Sequence, residues 1–152
     1  PPLSPTAHAR LEGYRRAHRD AAIEVDDRLV IQAGTTLDDG FQAGLEVIRE
    51  SLGVTAIQAV NDLVAIGALN ALGSQNIAVP DDVSVAGFGN ILTAEHARVP
   101  LTTAREPKFR LGMAAMEVMQ KLLRGEEPEH RVLRAELLVR NSTGRPAVNT
   151  VI

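Results

Sequence analysis

The sequence predicts an α/β domain built on a doubly wound parallel sheet. Three observations predict it. Short apolar runs of four to six residues alternate with longer segments of helical periodicity. Those runs are almost continuously apolar, as in strands covered by helices on both faces. The chain has 152 residues, 45% of them apolar, which suits one domain with its own core.

Each element has its own signal. Ser4-Pro5 reads as a cap followed by proline at the first helical position. Leu11, Tyr14, His18 and Ala21 then recur at spacings of three and four, one face of a helix. Residues 28–32 are an apolar run ending before Gly34 and predict a first strand. A second helix is expected over 36–50, with Phe41, Leu45, Ile48 and Leu52 on its face. Asp38 and Asp39 suit its positive N-terminal end. Residues 55–60 predict the next strand, and Asn61-Asp62 caps a third helix carrying Leu63, Ile66, Leu69 and Leu72. After a loop over 73–80, residues 83–88 predict a strand stopped by Gly87 and Gly89. A short turn or helix over 93–96 leads to Pro100 and a brief strand over 101–104. Pro107 opens a fourth long helix with Phe109, Met113, Met116, Val118, Leu122 and Leu123, ended by Gly125 and Pro128. Residues 132–139 read as a strand or hairpin, and the tail from Asn141 is polar.

Composition excludes several classes of function. Cysteine is absent, so disulfides, zinc–cysteine clusters and cysteine nucleophiles are excluded together. The net charge is −3, with 16 basic and 19 acidic residues mixed along the chain. A DNA-binding face needs concentrated positive charge to displace phosphate counterions. Aromatic residues are 3% of the chain, which leaves no platform for stacking bases. No apolar run approaches 18 residues, so no membrane partner is expected. The opening Pro1-Pro2-Leu3-Ser4-Pro5 has no basic or apolar signal region and no Met, and an upstream part is expected to be missing.

In open α/β sheets ligands bind beyond the carboxyl ends of the strands. The polar residues expected there are Gly34, Thr35 and Thr36, then Asn61 and Asp62, then Gly87, Gly89 and Asn90, then Arg105 and Glu106. The start of the first helix adds Ser4, Thr6, His8 and Arg10. This rim of hydroxyls, amides and guanidiniums suits a small polar ligand. Arg10 offers a forked pair of donors, and the Asn61 amide donates and accepts together. Plainer roles stand beside these. Asn61 also reads as a helix cap, Ser4 and Thr6 as caps only, and Arg10 as a residue of a solvated face.

Catalytic and cofactor motifs are not found, and neither an enzyme nor a cofactor is expected. Gly87-Phe88-Gly89 begins like a dinucleotide fingerprint, but position 92 is Leu and the segment follows a late strand. There is no phosphate loop and no serine in a nucleophile elbow. His8, His18, His96 and His130 lack metal-ligand spacing. Asp26-Asp27, Asp38-Asp39 and Asp81-Asp82 lie at element ends and read as turn or capping residues. Asn141-Ser142-Thr143 matches a glycosylation sequon by chance, since no secretory signal accompanies it.

Four motifs resemble one family. Ala59-Val60-Asn61-Asp62-Leu63-Val64-Ala65-Ile66-Gly67-Ala68-Leu69 resembles the A-N-D-x-x-A-x-G-A strand-to-helix segment of the lactose/galactose-repressor family. Val79-Pro80-Asp81-Asp82-Val83-Ser84-Val85-Ala86-Gly87-Phe88 is similar to its V-P-x-D-V/I-S-V/I-x-G-F/Y. Pro100-Leu101-Thr102-Thr103 with Glu106-Pro107 matches P-L-T-T-x-x-Q/E-P, and Arg10-Leu11-Glu12-Gly13-Tyr14 matches R-x-x-G-F/Y. Order and spacing agree from Ser4 to about Pro146.

The resemblance implies the second lobe of a periplasmic-binding-protein-like (type I) sensor, about the last half of a cytoplasmic bacterial regulator. Operator DNA is then bound only through an N-terminal helix-turn-helix headpiece outside this chain. Residues 1–146 form the C-terminal part of the effector-binding and dimerisation domain, with 147–152 a tail. The helix within 105–125 belongs to the missing first lobe. Alone, its apolar stripe is expected to pack on another copy of the chain, by swapping or an added interface.

The implied ligand contacts are Thr6, Arg10 and Asn61, with Thr35, Gly89 and Asn90 at neighbouring rim positions. Two of these depart from the family. Gly89 stands where an aspartate usually follows G-F/Y, and Thr35 stands where an aromatic often stacks on the ligand. The implied homodimer interface comprises Ile66, Asn70, Ser74, His96 and Ala97, while Leu69 reads as core. The effector is expected to be a sugar or related polar ligand. A periplasmic sugar-binding protein of the same fold is the alternative, and it would carry a secretion signal upstream.

Overall fold

A computed structural model describes residues 4–146; the Pro1-Pro2-Leu3 opening and the 147–152 tail lie outside the described residues. The first helix, α1 (Pro5–Asp20), starts where Ser4 Oγ accepts the Ala7 amide at 3.2 Å. The second, α2 (Leu37–Glu50), opens on a reciprocal cap. Thr36 Oγ1 accepts the Asp39 amide at 3.2 Å, and Asp39 Oδ2 accepts the Thr36 amide at 2.8 Å. Strand β1 (Ala56–Gln58) leads into α3 (Asp62–Ser74), which Asn61 caps by accepting the Val64 amide at 2.8 Å. Strand β2 (Ser84–Phe88), the short α4 (Leu92–Glu95), β3 (Thr102–Arg105), α5 (Lys108–Leu123) and β4 (Glu136–Leu138) complete the order.

The four strands form one sheet in the order β1-β2-β3-β4. The first three are parallel, joined by α3 and α4, and β4 adds an antiparallel edge. The α/β class therefore holds, as a mixed sheet with a parallel centre.

One expected strand is absent. Residues 28–32 do not join the sheet. A 3-10 turn, Asp27–Leu29, occupies their start. Its cause is local: Asp26 Oδ1 accepts the Arg28 amide at 3.0 Å, and the Asp26 carbonyl accepts the Leu29 amide at 3.0 Å. The apolar character of the run is still used, because Ile31 packs against the core from an extended segment without a ladder.

The core lies between α3 and the parallel strands. Leu72, Val83, Val85, Ala94 and Leu101 are fully buried there. Helices α2 and α3 pack so closely that backbones touch. A methyl group at Gly67 would overlap the Leu37 carbonyl, which gives a steric reason for glycine in the A-x-G-A motif. By contrast, α1 and α5 contain no buried residue.

Candidate functional site

Four elements bring side chains to one end of the sheet. Arg10, on the second turn of α1, sends its guanidinium across the carboxyl ends of β1 and β2. Its Nη1 donates to the Val60 carbonyl at 2.6 Å, and its carbon lies 3.9 Å from the centre of the Phe88 ring. Its Nη2 approaches Glu106 Oε1 at 3.5 Å, just beyond β3. A guanidinium stacked on an aromatic face and bonded to a carbonyl is held in one orientation before any ligand arrives.

Asn61 follows Val60, just past the end of β1, so the carbonyl that Arg10 bonds and the Asn61 side chain share one edge. The Asn61 amide is used twice: Oδ1 caps α3, and Nδ2 donates to the Thr35 carbonyl at 3.0 Å. That second bond ties the loop before α2 to the end of β1. Thr35 is exposed and takes part through its backbone oxygen. Thr6 is exposed on the same face of α1 as Arg10, one turn earlier.

The residues after β2 form a left-handed turn. Gly89 has φ +128° and Asn90 has φ +49°. Glycine reaches the first conformation without a Cβ clash, and asparagine tolerates the second. Sequence reasoning placed both on the rim, and the structure adds what holds them. The Asp62 carboxylate is 1% exposed. Its Oδ2 accepts the Ile91 amide at 2.8 Å, and its Oδ1 accepts the Thr103 hydroxyl at 2.6 Å. Read from sequence, Asp62 is a capping residue; folded, it joins α3, β3 and the turn after β2. The role of Phe88 beneath Arg10 was also hidden, since an aromatic ending a strand carries no signal about what lies over it.

The remaining rim residues divide. Glu106 joins Arg10, whereas Arg105 turns to Glu136 of β4 at 2.5 Å. Asp39 serves the α2 cap, and the Thr36 hydroxyl beside it, with the Thr36 and Thr35 amides, holds its carboxyl below the usual carboxylate range. Among the described residues, no group of three His, Cys, Asp or Glu side chains is placed to hold a metal ion, and no helix is long and apolar enough to cross a membrane.

The residues expected at a dimer interface lie on α3 and at the end of α4. Asn70 and Ser74 are exposed on α3, with half-buried Ile66 one turn before Asn70. His96 caps the end of α4 and is exposed, and Ala97 is half-buried against the core. Leu69, one residue from Asn70, is 3% exposed and belongs to the core.

Comparison with known proteins gives a consistent result. The profile of a family described as "periplasmic binding protein-like domain" matches residues 2–143. The HTH-type transcriptional repressor PurR of Vibrio campbellii is 35% identical over 135 residues, which cover 88% of this chain and 40% of the repressor. The solved complex of the transcriptional regulator CelR with cellobiose aligns with a TM-score of 0.81 at 33% identity, covering 88% of this chain and 41% of that one. The lac repressor dimer, bound to operator and the anti-inducer ONPF, aligns with a TM-score of 0.82 at 25% identity, covering 91% and 48%. The chain thus spans less than half the length of each of these relatives.

Proposed function

This chain belongs to the periplasmic binding protein-like domain family, in its lactose/galactose-repressor form, and on that premise we propose that it is the effector-sensing and dimerising region of a bacterial transcriptional regulator. Operator DNA is bound by a helix-turn-helix outside this chain. The effector is a small polar molecule such as a sugar. No covalent chemistry is assigned, and the regulator acts in the cytoplasm, where its operator lies.

The observation that carries the reading is the position of Arg10. It sits over the ends of the first two parallel strands, braced by the Val60 carbonyl and Phe88, beside Asn61. Its contact with Glu106 at 3.5 Å is the weak one, and it is the one a ligand oxygen replaces. Asn61, Thr6, Thr35 and the Gly89–Asn90 turn supply the surrounding polar edge. Position 89 carries no carboxylate, so this turn lacks the fixed pair of acceptors that an aspartate there would supply.

The mechanism is a population shift. The rim is one wall of a cleft, and α5 belongs to the opposite lobe. A ligand that binds the closed cleft better than the open one changes the angle between lobes. The dimer surface, formed by Ile66, Asn70, Ser74, His96 and Ala97, converts that angle into the spacing of two DNA-binding headpieces. The relatives named above are repressors and regulators, which favours this reading over a periplasmic sugar carrier.

A thermal-shift screen of the intact protein with cellobiose, other sugars, sugar acids and nucleobases tests the site. A ligand at about 100 times its Kd stabilises the folded state by about 2.7 kcal/mol. Arg10→Ala and Asn61→Ala are each expected to abolish that shift, and Asn61→Asp controls for the lost helix cap. Normal ligand responses in both alanine variants would show that the site lies elsewhere.

A further inference from the structure

We propose that Arg140 is a positioning residue for the ligand-facing rim: it clamps the left-handed Gly89–Asn90 turn and ties it to the end of α4. The proposal rests on the reading that this rim faces the effector, and it adds how the rim is held and where its movement goes.

The anchor of Arg140 is rigid. Its amide donates to Thr102 Oγ1 at 2.9 Å, and the following residues strap the chain across β2 and β3. The fully buried Ser142 donates its hydroxyl to the Val85 carbonyl at 2.6 Å and accepts the Thr102 amide at 2.8 Å. From this base the guanidinium, 17% exposed, reaches back over the rim. Its Nη2 donates to Asn90 Oδ1 at 2.8 Å, and its Nη1 donates to the Leu101 carbonyl at 2.8 Å.

The turn is therefore gripped from two sides. Asp62 accepts the Ile91 amide, and Arg140 holds the Asn90 side chain. With Oδ1 engaged in this way, Asn90 shapes the rim more than it offers that oxygen to a ligand. The same guanidinium is linked to α4. Glu95 Oε2 lies 4.0 Å from Nη2, and the Leu101 amide donates to the Ala94 carbonyl at 2.8 Å. His96 and Ala97, which follow directly, belong to the surface assigned to the dimer. One planar fork thus touches the rim and the segment leading to that surface, a geometry lysine cannot reproduce.

Hydrogen–deuterium exchange of the full chain, read by mass spectrometry, tests this without any ligand. Arg140→Met keeps the apolar stem and removes the donors. Exchange in the peptide over 88–92 is expected to rise about tenfold, with the 93–97 peptide following, while 62–74 in α3 is unchanged. Arg140→Lys, which restores a single donor, is expected to recover part of the protection. Unchanged exchange over 88–92, a rise confined to 88–92, or an equal rise throughout α3 would each overturn the proposal. Loss of the ligand response in Arg10→Ala leaves this exchange result untouched, so the two readings fail separately.

Discussion

Two helices of this chain, α3 and α5, are both rich in apolar residues and have opposite fates. In α3, Val64, Ala65, Ala68, Leu69, Ala71 and Leu72 are buried between α2 and the sheet. In α5, no residue is buried, and Phe109, Met113, Met116 and Leu123 stand 81%, 51%, 59% and 80% exposed. The difference is one of partners more than of composition. Small residues along α3 let α2 approach to backbone contact, and a helix apolar on most sides needs such company. The bulky, flexible stripe of α5 meets no such surface among the described residues. An apolar stripe in a sequence says that a partner surface exists; it does not say where that surface is.

Matched substitutions in the two helices sharpen the contrast. The largest difference is expected between Leu72→Ala and Met116→Ala. Deleting a fully buried leucine leaves a cavity and costs about 2–5 kcal/mol, whereas Met116→Ala stays within about 0.5 kcal/mol, both read from urea unfolding midpoints. Next comes Gly67→Ala against Gly112→Ala. The first forces a methyl group into the backbone of α2 and is expected to cost about 1–3 kcal/mol. The second meets nothing within 4 Å and is expected to stabilise α5 by about 0.4–1 kcal/mol. If both glycine variants shift the midpoint equally and in the same direction, the close approach of α2 and α3 is not what separates the two helices.

Helix ends give the smallest effects. Thr36→Ala breaks the reciprocal cap of α2 and is expected to cost about 1 kcal/mol. α5 has no side-chain cap bond to lose, since Pro107 stands at its start. The α2 cap also carries a pH signature. The Asp39 carboxyl is held below its ordinary value, chiefly by the Thr36 hydroxyl, so its contribution is complete above the unfolded carboxylate range. It is lost as pH falls through the depressed folded value. Acid titration of stability is therefore expected to fall more steeply in the parent chain than in Asp39→Asn.

Much of the candidate site was legible because it depends on local order. A polar residue directly after an apolar strand sits at that strand's carboxyl end, whatever the rest of the chain does. That placed Asn61 and the Gly89–Asn90 turn, and helical spacing placed Arg10 near the start of α1. Nothing local could have revealed Phe88 under Arg10, Thr103 donating to Asp62, or Arg140 reaching Asn90. The last of these pairs is separated by 50 residues. Residues 28–32 show the opposite error. Their composition reads as a strand, but Asp26 captures the Arg28 amide and turns the chain before any ladder forms.

The sequence by itself determined most of the alternation of strands and helices, the caps at Ser4 and Asn61, and the order in which polar residues meet the sheet edge. These follow from interactions within a few residues, where chain geometry leaves few choices. Tertiary structure alone decided that β4 runs antiparallel at the edge, that Asp62 is buried as a junction, and that Arg10 points over β1 and β2. A strand's direction, a carboxylate's burial and a guanidinium's aim are each set by a partner distant in sequence, which exists only once the chain has closed upon itself.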